Sequence, residues 1–149
     1  MKRFYHTLIV LILLAEIGFV QTLAAGVAYA PGQWISTDMS RSRLISATTG
    51  TGQSSEVLIG LQIELDKGWK TYWRNPGDAG LPPQFNWAGS SNLKSVEILW
   101  PQPSLFQTYG FLTWGYQTEI VFPIKVTLID PQKGLDVNLQ TFYGICAEV

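Results

Sequence analysis

Apolar residues in this chain recur at every second position, and that period commits it to strands. From Val57 to Leu65, the residues Val57, Leu58, Ile59, Leu61, Ile63 and Leu65 settle into alternation with Gln62 and Glu64, the pattern of a strand with one wet face. A second segment, Glu119 to Asp130, sets Ile120, Phe122, Ile124, Val126 and Leu128 on one face, with Val121, Pro123, Lys125, Thr127 and Ile129 on the other. Pro123 has no N–H to give a ladder, so an edge strand or a bulge is expected there. A third, Leu135 to Tyr143, alternates Leu135, Val137, Leu139, Thr141 and Tyr143 against Asp136, Asn138 and Gln140. Asp130-Pro131-Gln132-Lys133-Gly134 supplies the turn between the second and third. Shorter strands are expected at Arg43–Ala47 and Ser95–Trp100. Helical periodicity is confined to the N-terminus. Short strands with Gly/Pro turns predict an all-β, two-sheet β-sandwich.

The N-terminus reads as an export signal. Lys2 and Arg3 precede an uninterrupted apolar run from Leu8 to Ala15, and residues 17–30 are mostly small and apolar. A membrane anchor is the rival reading, but it needs about 20 apolar residues, and Glu16 interrupts the run. Residues 1–28 are therefore expected to be a signal peptide, cleaved between residues 25 and 30, with residues 29–149 forming one domain. Lys2, Arg3 and Glu16 fall in the signal, which leaves eight basic and ten acidic side chains of the chain's 10 and 11. No basic cluster offers a surface to nucleic acid or anionic membrane. No segment beyond the signal is long and apolar enough to span a bilayer.

The inventory of reactive groups is short. His6, the only histidine, lies in the signal, which removes Ser-His and Cys-His pairs and histidine metal ligands from the mature domain. Cys146 and Met39 alone cannot make a soft-metal site, and no phosphate-binding glycine loop is present. No metal and no cofactor is expected. Asp78, Glu97, Glu119 and Glu148 are the carboxylates available for a catalytic pair, although scattered carboxylates are usually solvated surface.

Two stretches, Gly68–Pro83 and Trp100–Gly110, are rich in aromatics and turn formers and read as long structured loops. Their rings, with Trp87 and Trp114, either offer flat binding faces or fill the core. Cys146, the single cysteine, follows Phe142-Tyr143-Gly144-Ile145, with Gly144 expected to loosen the backbone before it. An odd cysteine in an exported chain is either a buried inert thiol or half of a pair completed elsewhere.

Four segments together resemble a known family. Gly68–Pro83 (Gly-Trp-Lys-Thr-Tyr-Trp-Arg-Asn-Pro-Gly-Asp-Ala-Gly-Leu-Pro-Pro), Trp100-Pro101-Gln102-Pro103, Tyr109-Gly110 and Tyr143-Gly144-Ile145-Cys146 are similar to the N-terminal periplasmic domain of DsbD-type thiol:disulfide interchange proteins, in the ScsB-like branch. The resemblance implies an immunoglobulin-like sandwich in the periplasm, part of a protein-disulfide reductase. Such a domain takes electrons from a membrane-embedded reductase domain of the same protein and passes them to periplasmic thioredoxin-like proteins. It also implies links to cytochrome c biogenesis and copper tolerance. By position, Cys146 matches the first redox cysteine and Tyr109 and Gly110 the end of a cap loop, with Phe106 the aromatic expected over the sulfur. Gln107 and Thr108 stand where relatives can carry an acidic residue and an aromatic. The family pattern needs a second cysteine, spaced Cys-x-x-x-Cys in this branch, and Cys146-Ala147-Glu148-Val149 stops one residue short. The expectation is a domain truncated at its C-terminus; the alternative is a copy without a resolving thiol. The rival function is a non-catalytic β-sandwich that binds a protein or ligand through its aromatic loops.

Overall fold

The computed structural model describes residues 32–47 and 52–147. The expected signal peptide and Glu148 lie outside them. In chain order the strands are β1 (Ile35–Ser36), β2 (Ser40–Ser46), β3 (Glu56–Leu65), β4 (Trp69–Gly77), β5 (Gln84–Asn86), β6 (Leu93–Ile98), β7 (Ser104–Thr108), β8 (Phe111–Gln117), β9 (Glu119–Leu128), β10 (Gln140–Phe142) and β11 (Ile145–Ala147). They form a five-stranded sheet, β1-β2-β3-β9-β6, a four-stranded sheet, β11-β4-β8-β7, and a small β10-β5 pair. No helix occurs among the described residues.

Alternation in β3 and β9 builds the core. Their register sets Leu61 against Phe122, Ile59 against Ile124 and Val57 against Val126, so one face of the central pair is a continuous apolar surface, buried throughout. The second sheet closes over it with Tyr116, Trp69, Trp73 and Ile145. Phe122 is the hub: Trp100 and Tyr116 each meet it edge-on at 5.4 Å, and Phe85 at 6.3 Å. Edge-to-face pairs of this kind each contribute about 0.5–1.5 kcal/mol beyond their buried area. Trp69, Trp73, Trp87 and Trp100 thus pack on the core, and Trp114 and Tyr109 remain exposed.

Three sequence expectations need correction. Pro123 sits in the middle of the five-stranded sheet, opposite Gly60 in unbroken register with β3. It is tolerated because its carbonyl side faces β6, which ends at Ile98 opposite Ile124. Leu99 N–H donates to the Pro123 carbonyl at 2.8 Å, at a point where the ladder is already finishing. The Leu135–Tyr143 segment is not one strand. Leu135, Val137, Leu139 and Tyr143 do pack against the core, but ladder pairing is limited to Gln140–Phe142 and a bridge from Asp136 to Ser91. The two aromatic stretches are only partly loops, since Trp69–Gly77 and Ser104–Thr108 are strands of the second sheet. The expected turn at Asp130 is present, closed by Lys133 N–H to the Asp130 carbonyl at 3.2 Å and by Gln132 N–H to the Asp130 carboxylate at 2.9 Å.

Candidate functional site

Cys146 lies on β11, the edge of the four-stranded sheet, half-buried and unpaired with any other cysteine. β11 is short, and side chains and loops hold it in place. Thr71, fully buried on β4, donates its hydroxyl to the Gly144 carbonyl at 2.8 Å, and Gly144 N–H donates to the Leu81 carbonyl at 3.3 Å. A Cβ at position 144 would lie 2.8 Å from the Leu81 Cβ and 3.0 Å from its carbonyl oxygen. Gly144 is therefore there for close approach of the Leu81 loop, and not, as the sequence suggested, to loosen the backbone.

Register decides what faces the sulfur. Cys146 pairs with Lys70 on β4, and Lys70 in turn with Gln117 on β8. Side chains alternate between the faces of a sheet, so Cys146, Lys70, Tyr72, Thr113 and, through the Phe106–Thr113 pair, Phe106 share one face. It is the face away from the core, because Tyr116, which points the other way, is the core residue.

That outward face carries an unexpected charge. Lys70 is 1 % exposed, one of the largest fully buried side chains among the described residues. An ammonium has three donors and is costly to bury without partners. Lys70 Nζ donates to Thr108 Oγ1 at 2.9 Å and to Thr113 Oγ1 at 3.5 Å, and lies 5.0 Å from the centroid of the Phe106 ring. Thr108 and Phe106 belong to β7, Thr113 to β8. The buried cation thus ties the β7–β8 hairpin to the strand that pairs with Cys146.

Tyr72 completes the group. It is buried, with Gly80 lying against its ring. Its phenol is pushed up to about 12, first by burial, then by its hydrogen bond to Cys146 and by the negative charge that the thiol can carry. The Cys146 thiol donates to the Ala147 carbonyl at 3.3 Å.

Of the residues singled out from sequence, Phe106 and Cys146 are linked through Lys70. Tyr109 and Gly110 form the two-residue tip between β7 and β8, both with positive φ (51° and 86°), as a tight type I′ hairpin turn requires. Tyr109 is 78 % exposed there. The carboxylates do not gather: Glu97 pairs with Lys125, Glu119 accepts from Gln62, and Asp78 binds the Leu112 N–H in the hairpin. Lys70, Tyr72 and Thr108 were not singled out as site residues. Their relation to Cys146 rests on strand register, which only a correct placing of β4 and β11 as neighbours would have disclosed.

The family described as thiol:disulfide interchange protein DsbD, N-terminal, matches residues 42–149. The chain belongs to that family. The DsbD N-terminal match takes in every element of the site described above. Among solved structures, the chain is similar to the N-terminal periplasmic domain of ScsB from Proteus mirabilis, at 32 % identity and a TM-score of 0.65, covering 82 % of this chain and 47 % of that one. It thus spans about half the length of that solved chain. No curated protein sequence matches it. The fold is the immunoglobulin-like β-sandwich that the resemblance implied, and the domain is of the thiol:disulfide interchange type.

Proposed function

We propose that Cys146 is the reacting thiol of a periplasmic exchange module that receives electrons from a membrane-embedded reductase domain and delivers them to oxidised thioredoxin-like partners. The observation that carries this reading is the position of Cys146: on an edge strand, on the outward face, beside the Tyr72 phenol and paired with Lys70, whose ammonium is held by the β7–β8 hairpin. An edge strand is open to an incoming partner, and the thiolate is the species that attacks.

The step is a thiol–disulfide exchange. Cys146 loses its proton, its thiolate attacks one sulfur of the partner disulfide, and the partner's S–S bond breaks. A mixed disulfide joins the two proteins, and the partner's other sulfur leaves as a thiolate that takes up a proton. A second thiol then attacks the Cys146 sulfur, which frees the partner reduced by two electrons and leaves the attacking thiol and Cys146 joined as a disulfide. Phe106, with Tyr109 and Gly110 at the hairpin tip, forms the cap that restricts this attack to matching partners.

The test is direct capture. The reduced chain is mixed with a thioredoxin-fold protein whose single cysteine carries a thionitrobenzoate disulfide. Release of thionitrobenzoate with formation of a covalent heterodimer is expected, both abolished by Cys146→Ser. A chain that yields no heterodimer while folded contradicts the proposal.

A further inference from the structure

We propose that Lys70 is the latch that holds the β7–β8 hairpin in its closed position, and so a positioning residue for exchange at Cys146; this rests on the exchange reading above. Three features carry it. Lys70 is the direct cross-strand partner of Cys146, so whatever moves Lys70 is felt at the thiol's own strand pair. Its ammonium is spent on the hairpin, through the Thr108 hydroxyl at 2.9 Å and the Phe106 ring at 5.0 Å. Thr108 sits immediately before the tip residues Tyr109 and Gly110, where a single hydrogen bond has the greatest leverage over the hairpin end.

A cation makes a reversible latch where an apolar contact would not. A buried ammonium needs its hydrogen-bonding partners at all times, so the closed hairpin is favoured as long as Lys70 has no alternative. Water or a partner's polar groups can replace Thr108 when a matching surface arrives. Closure is then specific to the resting state, and only the Thr108 end of the hairpin has to part: Lys70 and Phe106 lie on the face away from the core, while Tyr116, toward the other end of β8, stays packed on Phe122. The Phe106 ring adds a cation–π contact that is strengthened by the absence of water.

The experiment measures the stopped-flow reaction of the intact reduced chain with a small aromatic disulfide, dithionitrobenzoate, which has no surface with which to open the hairpin. Thr108→Val removes the acceptor at nearly constant volume and should raise the rate several-fold. Thr108→Ser keeps the hydroxyl and should restore the rate to that of the unmodified chain, a rescue that a merely steric role for Thr108 would not produce. Lys70→Met, which also removes the contacts to Thr113 and Phe106, should raise the rate at least as much as Thr108→Val, and adding Thr108→Val to it should raise the rate no further, because the contact that change removes is already gone. If Lys70→Met does not fold, the Val and Ser pair still decides the matter. Equal rates in the unmodified chain and in folded Thr108→Val overturn the latch and leave exchange at Cys146 standing. A thiol that is inert in every folded variant overturns both.

Discussion

Lys70 and Cys146 face each other across the β4–β11 ladder, one fully buried and the other half-buried, on the side of the sheet turned away from the core. A charged side chain in that position has to be provided for, and the providers are Thr108 and Phe106 of the hairpin. The thiol, the cation and the hairpin therefore form one mechanical unit, laid on a sandwich whose stability comes from the opposite face.

The first prediction concerns the hairpin. Phe106 packs on Lys70, whereas Tyr109 projects from the tip at 78 % exposure. Phe106→Ala should raise the rate of Cys146 oxidation by hydrogen peroxide, and Tyr109→Ala should leave it near that of the unmodified chain. Both variants should keep their thermal unfolding midpoint within a few degrees. Equal acceleration by the two would move the cover from Phe106 to the tip.

The second concerns the core. Phe122 is fully buried and meets three aromatic rings. Phe122→Ala should lower the unfolding free energy by about 3–5 kcal/mol, the range for emptying a packed aromatic site. Urea denaturation checks it, and a loss below about 1 kcal/mol would mean that the aromatic cluster does not carry the fold.

The third concerns pH. Tyr72 and Tyr116 both titrate at about 12 in the folded chain, against 10.0 for a free phenol; burial is the leading cause in each. A raised pKa means that the folded state holds its proton more tightly than the unfolded state. The associated stability is complete below pH 10 and is lost as pH rises from about 10 to about 12. Unfolding midpoints should fall across that window, and the fall should be shallower in Tyr72→Phe and in Tyr116→Phe. A midpoint flat from pH 9.5 to 11.5, on the order of the window given by linkage, would show that these phenols are not buried.

The fourth concerns β11. With a Cβ at position 144 only 2.8 Å from the Leu81 Cβ, Gly144→Ala forces the Leu81 loop or β11 to move, at a cost of about 1–3 kcal/mol. Hydrogen exchange at Ile145 and Cys146 should accelerate more than exchange in β3 or β9. Uniform acceleration would show that the glycine serves the whole fold and not the strand end.

Much of the sandwich was legible because β3 and β9 each have one dry and one wetter face, so burial is written as alternation. β4 was not legible as a strand. Lys70 and Tyr72 are buried under the hairpin and the Gly80 loop on one side, and Thr71 and Trp73 pack on the other, so no polar period marks it. The Leu135–Tyr143 segment fails in the opposite sense: its alternation records packing against the core, but no neighbouring strand lies along most of it. Cys146 was legible as a chemical group because it has no rival. Its neighbours were not, since the pairing of β11 with β4 joins residues about 75 positions apart and sequence spacing carries no trace of such register.

The most direct test of the account is the alkylation of Cys146 by iodoacetamide in the native, reduced chain, followed by intact mass at graded pH beside the same chain in denaturant. Modification of the folded protein is expected, at a rate that rises with pH because the thiolate is the reacting species and that is slower than in denaturant because the hairpin restricts access. Modification seen only where the chain has unfolded would contradict it, and Cys146 would then be an inert packing residue.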